Sequence, residues 1–144
     1  MMELLSLLPG TVQWARAKFT PKIEHRLRVE LRKLARAADA RVAVLWMPVR
    51  RGADEVGEVI AYSGDREAIP SRFGFMSATV PTWVPFALDD RERIDAVAQV
   101  VQLGRGLPVL YVAAIAPGPA DSAALFDLVE ECAARLEQVA VSAM

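Results

Sequence analysis

The fold is decided by two stretches of the chain, TPKIEHRLRVELRKLARAA at residues 20–38 and SAALFDLVEECAARLEQVA at residues 122–140. In both stretches apolar residues recur every three or four positions, which is the spacing of one face of an α-helix. The residues between them form short apolar runs typical of β-strands. The order helix, strands, helix limits the fold and indicates that both helical faces meet the same group of strands.

The composition is that of a single folded domain. The chain has 144 residues, of which 53% are apolar and 24% are charged. Such a chain can bury one hydrophobic core, and its composition differs from that of a disordered protein. The net charge is −1, so we expect no general attraction to nucleic acid or to a membrane surface. No apolar run reaches the roughly 20 residues that span a bilayer, and we expect a cytoplasmic protein.

Few residues are available for metal or thiol chemistry. Cys132 is the only cysteine and His25 the only histidine, so the sequence predicts no internal disulfide and no metal site. The run MELLSLLPG at residues 2–10 has neither a basic leader nor a small-residue cleavage site. We therefore interpret residues 1–19 as an N-terminal arm or docking helix and residues 20–144 as one domain.

The first long helix carries a strongly basic outer face. Thr20 suits the N-cap position and Pro21 the first helical position. The apolar stripe of the helix comprises Ile23, Leu27, Leu31, Leu34 and Ala38. At about 100° per residue the opposite face collects Lys22, His25, Arg26, Arg28, Arg32, Lys33 and Arg36. We expect this face to lie in solvent, at a dimer rim, against an acidic partner, or against nucleic acid or anionic lipid. We expect His25 to be exposed.

The last helix has the opposite charge. Its apolar stripe comprises Leu125, Leu128, Val129, Cys132, Leu136 and Val139. Its polar side carries Asp127, Glu130, Glu131 and Glu137 against Arg135. Because the two helices are complementary in charge, their rims should attract where they lie side by side, within the chain or across a dimer. Each exposed pair would add about 0 to 1 kcal/mol.

The centre of the chain predicts strands on both sides of a long loop. RVAVLWMPV at residues 41–49 and the run at residues 56–62 flank a turn at residues 52–54, which is typical of a β-hairpin. Pro48 lacks an N–H and is expected at a strand end or a sheet edge. Residues 63–85 are rich in glycine and proline and predict a loop with one short strand at residues 74–80. LPVLYVAAI at residues 107–115 predicts a central strand covered on both faces.

Residues 89–103 fit two structures. Asp89 and Glu92 resemble a capping box at the start of a helix, and the apolar residues that follow have helical spacing. The alternative is a strand at residues 96–103 that pairs with residues 107–116 through a glycine turn at residues 104–106. We favour a short helix or turn at residues 89–93 followed by this hairpin.

Four segments together resemble the GAF domain, a small-molecule sensor module of signalling proteins. They are ADARVAVLWMPV, VGEVIAYSG, IDAVAQVVQLGRGLPVLYVAAIAP and ADSAALFDLVEECAARLEQVA. The resemblance runs from about residue 22 to residue 141. It implies an α+β fold in which an antiparallel sheet of five or six strands carries the N- and C-terminal helices on one face and a ligand pocket on the other. It also implies dimerisation through those helices.

The activities of that family can be compared with the residues present. Members that reduce free methionine sulfoxide use several cysteines, and members that attach a bilin use a pocket cysteine beside a histidine. Here Cys132 lies on a helix stripe and His25 on a basic helix face, so both chemistries and an axial haem ligand are missing. The serines have no base close in the sequence. We therefore expect a non-catalytic protein without a cofactor, while cyclic-nucleotide binding stays open.

Two sets of residues are candidates for functional surfaces. The first is an aromatic pocket wall, whose alternative explanation is ordinary core packing. It comprises Trp46, Tyr62, Phe73, Phe75, Trp83, Phe86 and Tyr111. The second is a dimer or partner surface, which comprises Ile23, Leu27, Leu31, Leu34, Arg28, Arg32, Leu128, Leu136 and Val139.

Two functions of different classes are consistent with the sequence. The first is a GAF-like regulatory module that binds a small molecule, or has lost its ligand, and signals as a homodimer to an unidentified protein. The second is a roadblock-like dimeric adaptor that scaffolds a small GTPase and has no ligand pocket. A helix filling residues 90–103 would favour the adaptor, and a hairpin there would favour the sensor. A third interpretation is an enzyme accessory subunit that contacts nucleic acid through the basic helix.

Overall fold

The computed structural model describes residues 8–51, 54–70, 79–88, 92–115 and 122–144. Within these ranges the α-helices are α1 (Val12–Lys18), α2 (Pro21–Ala37) and α3 (Ser122–Ser142). The strands are β1 (Val42–Arg51), β2 (Asp54–Gly64), β3 (Thr82–Leu88), β4 (Glu92–Gln102) and β5 (Val109–Ile115). A 3-10 helix, Arg66–Ala68, follows β2.

The strands form one antiparallel sheet in the order β2-β1-β5-β4-β3. β1 and β2 form the first predicted hairpin, and β4 and β5 form the second. β5 lies in the centre, and its residues from Leu110 to Ile115 are buried, as its continuous apolar run predicts. The α+β class and the five-stranded antiparallel sheet that the GAF resemblance implies are confirmed.

The helices α2 and α3 pack side by side on one face of this sheet. Leu27, Leu31 and Leu34 of α2 are buried in one hydrophobic core with apolar residues of α3, β1, β4 and β5. The two helices run antiparallel, since Arg26 near the start of α2 lies beside Ser142 at the end of α3. The amphipathic stripes read from the sequence therefore meet the same side of the sheet, as predicted.

The short helix α1 joins the same layer. The Thr11 side chain caps it by accepting a hydrogen bond from the Trp14 amide at 3.1 Å, and Thr20 caps α2 in the same way. Trp14 is 2% exposed and packs edge to face against Phe19, with ring centroids 6.2 Å apart. Both rings belong to the core that α2 and α3 share. The described part of the N-terminal arm is thus a docked helix, and α1, α2 and α3 form what we call the helical layer.

Two local predictions are corrected by the strands. Residues 92–93 belong to β4 and not to a helix or turn, while residues 89–91 lie outside the described part. β3, Thr82–Leu88, begins within the segment that the sequence predicts as a loop. Residues 79 and 80 form a bend, and residues 74–78 of the short strand predicted there lie outside the described ranges.

Proline placement explains why β3 escaped prediction. Pro85 stands in the middle of β3 and lowers its strand signal, but β3 is an edge strand, where a missing N–H can face away from the ladder. Pro48 follows the same rule as predicted. The pairing of β1 with β5 ends at Trp46, so Pro48 lies where β1 has β2 alone as a described neighbour.

A bulge interrupts the β1–β2 hairpin. Leu45 pairs with Ala61, whereas the next residue, Trp46, pairs with Val59, so Ile60 is an extra residue in β2. Ile60 packs against the same core as Ala61, although neighbouring residues in a regular strand point to opposite faces. The extra residue thus shifts the side-chain alternation of β2 by one position relative to that of β1.

Gly64 closes β2 tightly against the start of β1. Its φ is +120°, and a Cβ placed on it would collide with the carbonyl oxygen of Arg41 and lie 2.8 Å from the Cα of Val42. We expect Gly64→Ala to lower the free energy of unfolding by about 3 kcal/mol or more, since strain and a backbone clash combine. Urea unfolding followed by circular dichroism would measure it.

Gly106 provides the matched control for this variant. Its φ is +78°, but a Cβ there meets nothing within 4 Å. Gly106→Ala should cost about 1 to 2 kcal/mol from the left-handed backbone alone. Equal losses for both variants would contradict the clash at Gly64.

Candidate functional site

The candidate site lies on the sheet face opposite the helical layer. Trp46 and Tyr111 are 1% and 5% exposed and belong to a second hydrophobic cluster, against which Tyr62 packs. This cluster shares no member with the core beneath the helices. We call this side of the sheet the aromatic face.

The strand register brings the three aromatic residues together. Trp46 of β1 is directly opposite Tyr111 of β5, and Tyr62 of β2 is opposite Val44 of β1. Alternation along β1 puts Val42 and Val44 on the same face as Trp46. Three of the seven predicted pocket residues therefore share one surface.

Small residues of β4 and β5 lie on this face beside the aromatic residues. Ala98 of β4 pairs with Ala113 of β5, and Ala113 also pairs with Val44 of β1. The aromatic face therefore combines bulky aromatic side chains on β1, β2 and β5 with small alanine side chains on β4 and β5, and Ala98 and Ala113 are fully buried.

The 3-10 helix supplies part of the cover over this face. Asp65 caps it by accepting a hydrogen bond from the Glu67 amide at 3.0 Å, and Asp65 also forms an ion pair with Arg41 at 3.7 Å. These contacts hold Ala68 and Ile69 against the aromatic face, where Ala68 is fully buried. The sequence signal for such a cover is weak, because the 3-10 helix has only three residues.

The other predicted pocket residues do not join this surface. Trp83 is 37% exposed, and its ring lies 6.3 Å from that of Phe126 on α3, so it belongs to the helical side of the sheet. The prediction that Trp83 lines the pocket with Trp46 is wrong, because β3 turns that position toward α3. Phe73 and Phe75 lie outside the described residues, as does the side chain of Phe86.

The predicted partner surface is mostly used inside the chain. Five of its residues are buried beneath the helices and unavailable to a partner, which corrects that prediction: Leu27, Leu31, Leu34, Leu136 and Val139. Their apolar stripes are consumed by packing on the sheet. Ile23 and Leu128 are half-buried, and Arg28 and Arg32 are exposed. His25 is exposed on the same helix, as predicted.

The seam between α2 and α3 holds the cysteine. The Cys132 thiol lies 3.7 Å from the Glu30 carbonyl oxygen, to which it donates. Arg135 bridges the two helices at 3.8 Å from the Glu30 carboxylate. One oxygen of that carboxylate is buried without a hydrogen bond, so the guanidinium acts on it as a nearby charge. Burial, with a smaller contribution from the Glu30 charge, raises the pKa of the Cys132 thiol to about 12.

This thiol is poorly suited to nucleophilic chemistry, because the thiolate is the reactive form.

The seam also contains a small groove of about 90 Å³, and a second cavity of about 160 Å³ lies between α1 and β2. Neither of these two cavities is lined by Trp46, Tyr62 or Tyr111.

Across the described ranges, no group of three or more histidine, cysteine, aspartate or glutamate side chains is placed to hold a metal ion. No α-helix in the same part of the chain combines the length and hydropathy of a membrane span.

No family model matches the chain, and no curated protein matches it significantly. Among solved structures it is similar to the GAF domain of an Acinetobacter phosphoenolpyruvate-protein phosphotransferase, with 17% identity and a TM-score of 0.49 over 99% of this chain and 94% of that one. The fold class stated above rests on the sheet and helices themselves.

The thiol gives a pH-dependent prediction. Its pKa is near 9.0 when unfolded and about 12 when folded, so the folded state retains the proton to higher pH. The free energy of unfolding should therefore be unaffected by the thiol below pH 9. Above pH 9 it should fall, with a slope approaching about 1.4 kcal/mol per pH unit until pH 12. Urea unfolding at pH 8 to 11 would measure the slope.

Cys132→Ala is the matched control for this measurement. The variant keeps every other group that titrates in alkali, so the difference between the two slopes isolates the thiol. Parallel curves for the wild type and Cys132→Ala would show that the thiol ionises freely in the folded protein.

Proposed function

We propose that this chain is a non-catalytic, GAF-like sensory or regulatory domain that binds a small molecule at the aromatic face. The observation that carries the proposal is the convergence of Trp46, Tyr62 and Tyr111 on the sheet face opposite the helices. The three aromatic side chains offer stacking area to a planar ligand, and the alanines beside them on β4 and β5 are small.

The second hairpin supports the sensor over the adaptor. β4 covers residues 92–102 and pairs with β5 along its length, so these residues form a strand and not a helix. A helix filling residues 90–103 is the feature expected of a roadblock-like adaptor. The described part of that segment therefore favours the GAF-like alternative.

Access to the aromatic face requires movement of its cover. Trp46 and Tyr111 are nearly inaccessible in this structure, so we propose that a ligand enters when the part of the cover that includes Ala68 and Ile69 opens. Small covering elements with few buried contacts open more readily than packed helices. Ligand entry would thereby be coupled to the position of the residues that follow β2.

The output is proposed to leave through the helical layer. The sheet is shared by the two faces, because alternate residues of β1 pack on the helices and on the aromatic cluster. A shift of β1 on ligand binding would therefore change the packing of α2 and α3. We propose that a cytoplasmic homodimer carries this change to a protein partner.

Collisional quenching can test whether the aromatic face opens. A variant with Trp14→Phe and Trp83→Phe retains Trp46, and one with Trp46→Phe and Trp83→Phe retains Trp14. Both tryptophans are at most 2% exposed, so a static structure gives equal protection. We expect acrylamide to quench Trp46 at least threefold more strongly than Trp14, because the cover of the aromatic face opens while the helical layer stays closed.

Equal and weak quenching of both tryptophans would indicate a solid core at the aromatic face. That result would count against the sensor, since a ligand could not reach Trp46. Unfolding curves of both variants establish that each is folded at the measuring temperature. Each variant has one tryptophan, so the two signals need no separation.

A further inference from the structure

The cavity of about 160 Å³ between α1 and β2 lies at one edge of the helical layer, because β2 is an edge strand of the sheet. We call it the α1–β2 pocket. Its apolar wall comprises Val12, Ala15, Phe19, Val59 and Ile60. The three aromatic residues of the aromatic face do not line it. The α1–β2 pocket is therefore a separate cavity, and what it binds goes beyond the function proposed above.

The β2 wall of the pocket carries a carboxylate on the core side of the sheet. Glu58 stands directly opposite Met47 of β1, and Met47 is fully buried in the core beneath the helices. Cross-strand partners point to the same face of a sheet, so Glu58 points toward the helical layer. Glu58 is half-buried there, and a charge partly removed from water favours an oppositely charged neighbour.

Two further charged side chains line the pocket. Glu24 of α2 is one of them, and its carboxylate forms an ion pair with Arg28. Arg16 of α1 is the other, and within the described part of the chain its guanidinium forms no hydrogen bond or ion pair. The α1–β2 pocket therefore combines two carboxylates with one available guanidinium in an apolar wall.

This mixture of charges selects the class of ligand. A simple carboxylic acid could pair with Arg16, but its negative charge would meet Glu24 and Glu58. A simple amine could pair with the carboxylates, but its positive charge would meet Arg16. A molecule that carries both an ammonium group and a carboxylate satisfies both signs, since charge-assisted hydrogen bonds strengthen binding and juxtaposed like charges weaken it.

The volume and the wall define the rest of the ligand. A cavity of about 150 Å³ holds a molecule of the size of benzene, and the α1–β2 pocket has a similar volume. Burial of apolar surface on both partners is favourable at about 25 cal/mol per Å². The ligand should therefore carry a short apolar group beside its two charges.

We propose that the α1–β2 pocket binds a free α-amino acid with a short apolar side chain, such as L-leucine. Arg16 donates hydrogen bonds to the ligand carboxylate, and Glu24 and Glu58 accept hydrogen bonds from its ammonium group. The apolar side chain packs against Phe19 and Ile60. A ligand held in this way contacts both α1 and β2, so it ties the short helix to the edge of the sheet.

Three probes of similar shape test the ligand class. They are L-leucine, L-leucinamide, which lacks the carboxylate, and 4-methylpentanoate, which lacks the ammonium group. We expect titrations followed by NMR of the protein amides to give L-leucine a Kd at least tenfold lower than that of either analogue. The reason is that each analogue loses one charge-assisted contact.

Two variants assign the contacts. In Arg16→Ala the Kd for L-leucine should rise at least tenfold, and the preference for L-leucine over L-leucinamide should disappear. In Glu58→Gln the preference for L-leucine over 4-methylpentanoate should fall instead. A merely structural role of either residue would change the three Kd values together and keep the preferences.

Arg32→Ala is the matched control. It removes one exposed positive charge from α2, as Arg16→Ala does from α1, but Arg32 does not line the pocket. It should leave the Kd for L-leucine within about twofold of the wild-type value. Circular dichroism shows whether each variant is folded, and the comparison of the three probes on the wild type needs no variant.

Three results would overturn the proposal. They are no binding of L-leucine at about 10 mM, equal Kd values for the three probes on the wild type, or an unchanged preference for L-leucine in Arg16→Ala. A ligand at the aromatic face would be insensitive to Arg16. Failure of the α1–β2 pocket and failure of the aromatic face can therefore be told apart, since tryptophan quenching reports only on the second.

Discussion

The burial of two apolar helix stripes on one side of a single sheet is the constraint on which the rest of this structure depends. Leu27 and Leu31 of α2 and Leu136 of α3 are fully buried there. Each such side chain contributes about 1.5 to 3 kcal/mol through removal from water. Because the helices cover this face of the sheet, the surfaces left for binding a ligand or a partner are the opposite sheet face, the outer surface of the helices and the α1–β2 pocket at the edge.

The central strands link these two regions. In β1 the residues Ala43, Leu45 and Met47 meet the helices, while Val44 and Trp46 meet the aromatic cluster. A strand with two buried faces cannot shift without disturbing both, since protein interiors are close-packed. The same backbone that positions the aromatic residues therefore also positions α2 and α3, which gives a mechanical route from one side of the sheet to the other.

Much of the fold could be predicted from local patterns. The helical stripes, the capping by Thr20 and the buried run of β5 are strong signals because each repeats a physical rule over many residues. β3 was missed because Pro85 weakens a strand signal that is valid for an edge strand. Only part of the site could be predicted from the sequence. Trp46, Tyr62 and Tyr111 were selected as aromatics, but the sheet register decides that Trp83 turns toward Phe126 instead.

The partner surface could likewise be predicted only in part from the sequence. Spacing identifies which residues of α2 are apolar, but it does not say whether a stripe meets the domain's own sheet or another chain. The structure settles this by burying Leu34 and Leu136 within the chain. Individual charge pairs could not be predicted either. The sequence gives the sign of the net charge of each helix, but it does not show that Glu30 and Arg135 meet at the seam.

The bulge at Ile60 divides β2 into two segments with separate side-chain alternation. The segment nearer the 3-10 helix holds Tyr62 on the aromatic face, and the segment nearer the hairpin tip holds Val56 and Ile60 on the helical side. Regular alternation without the bulge would place Ile60 and Val56 on the same face as Tyr62, so the extra residue is what keeps these two apolar side chains on the helical side.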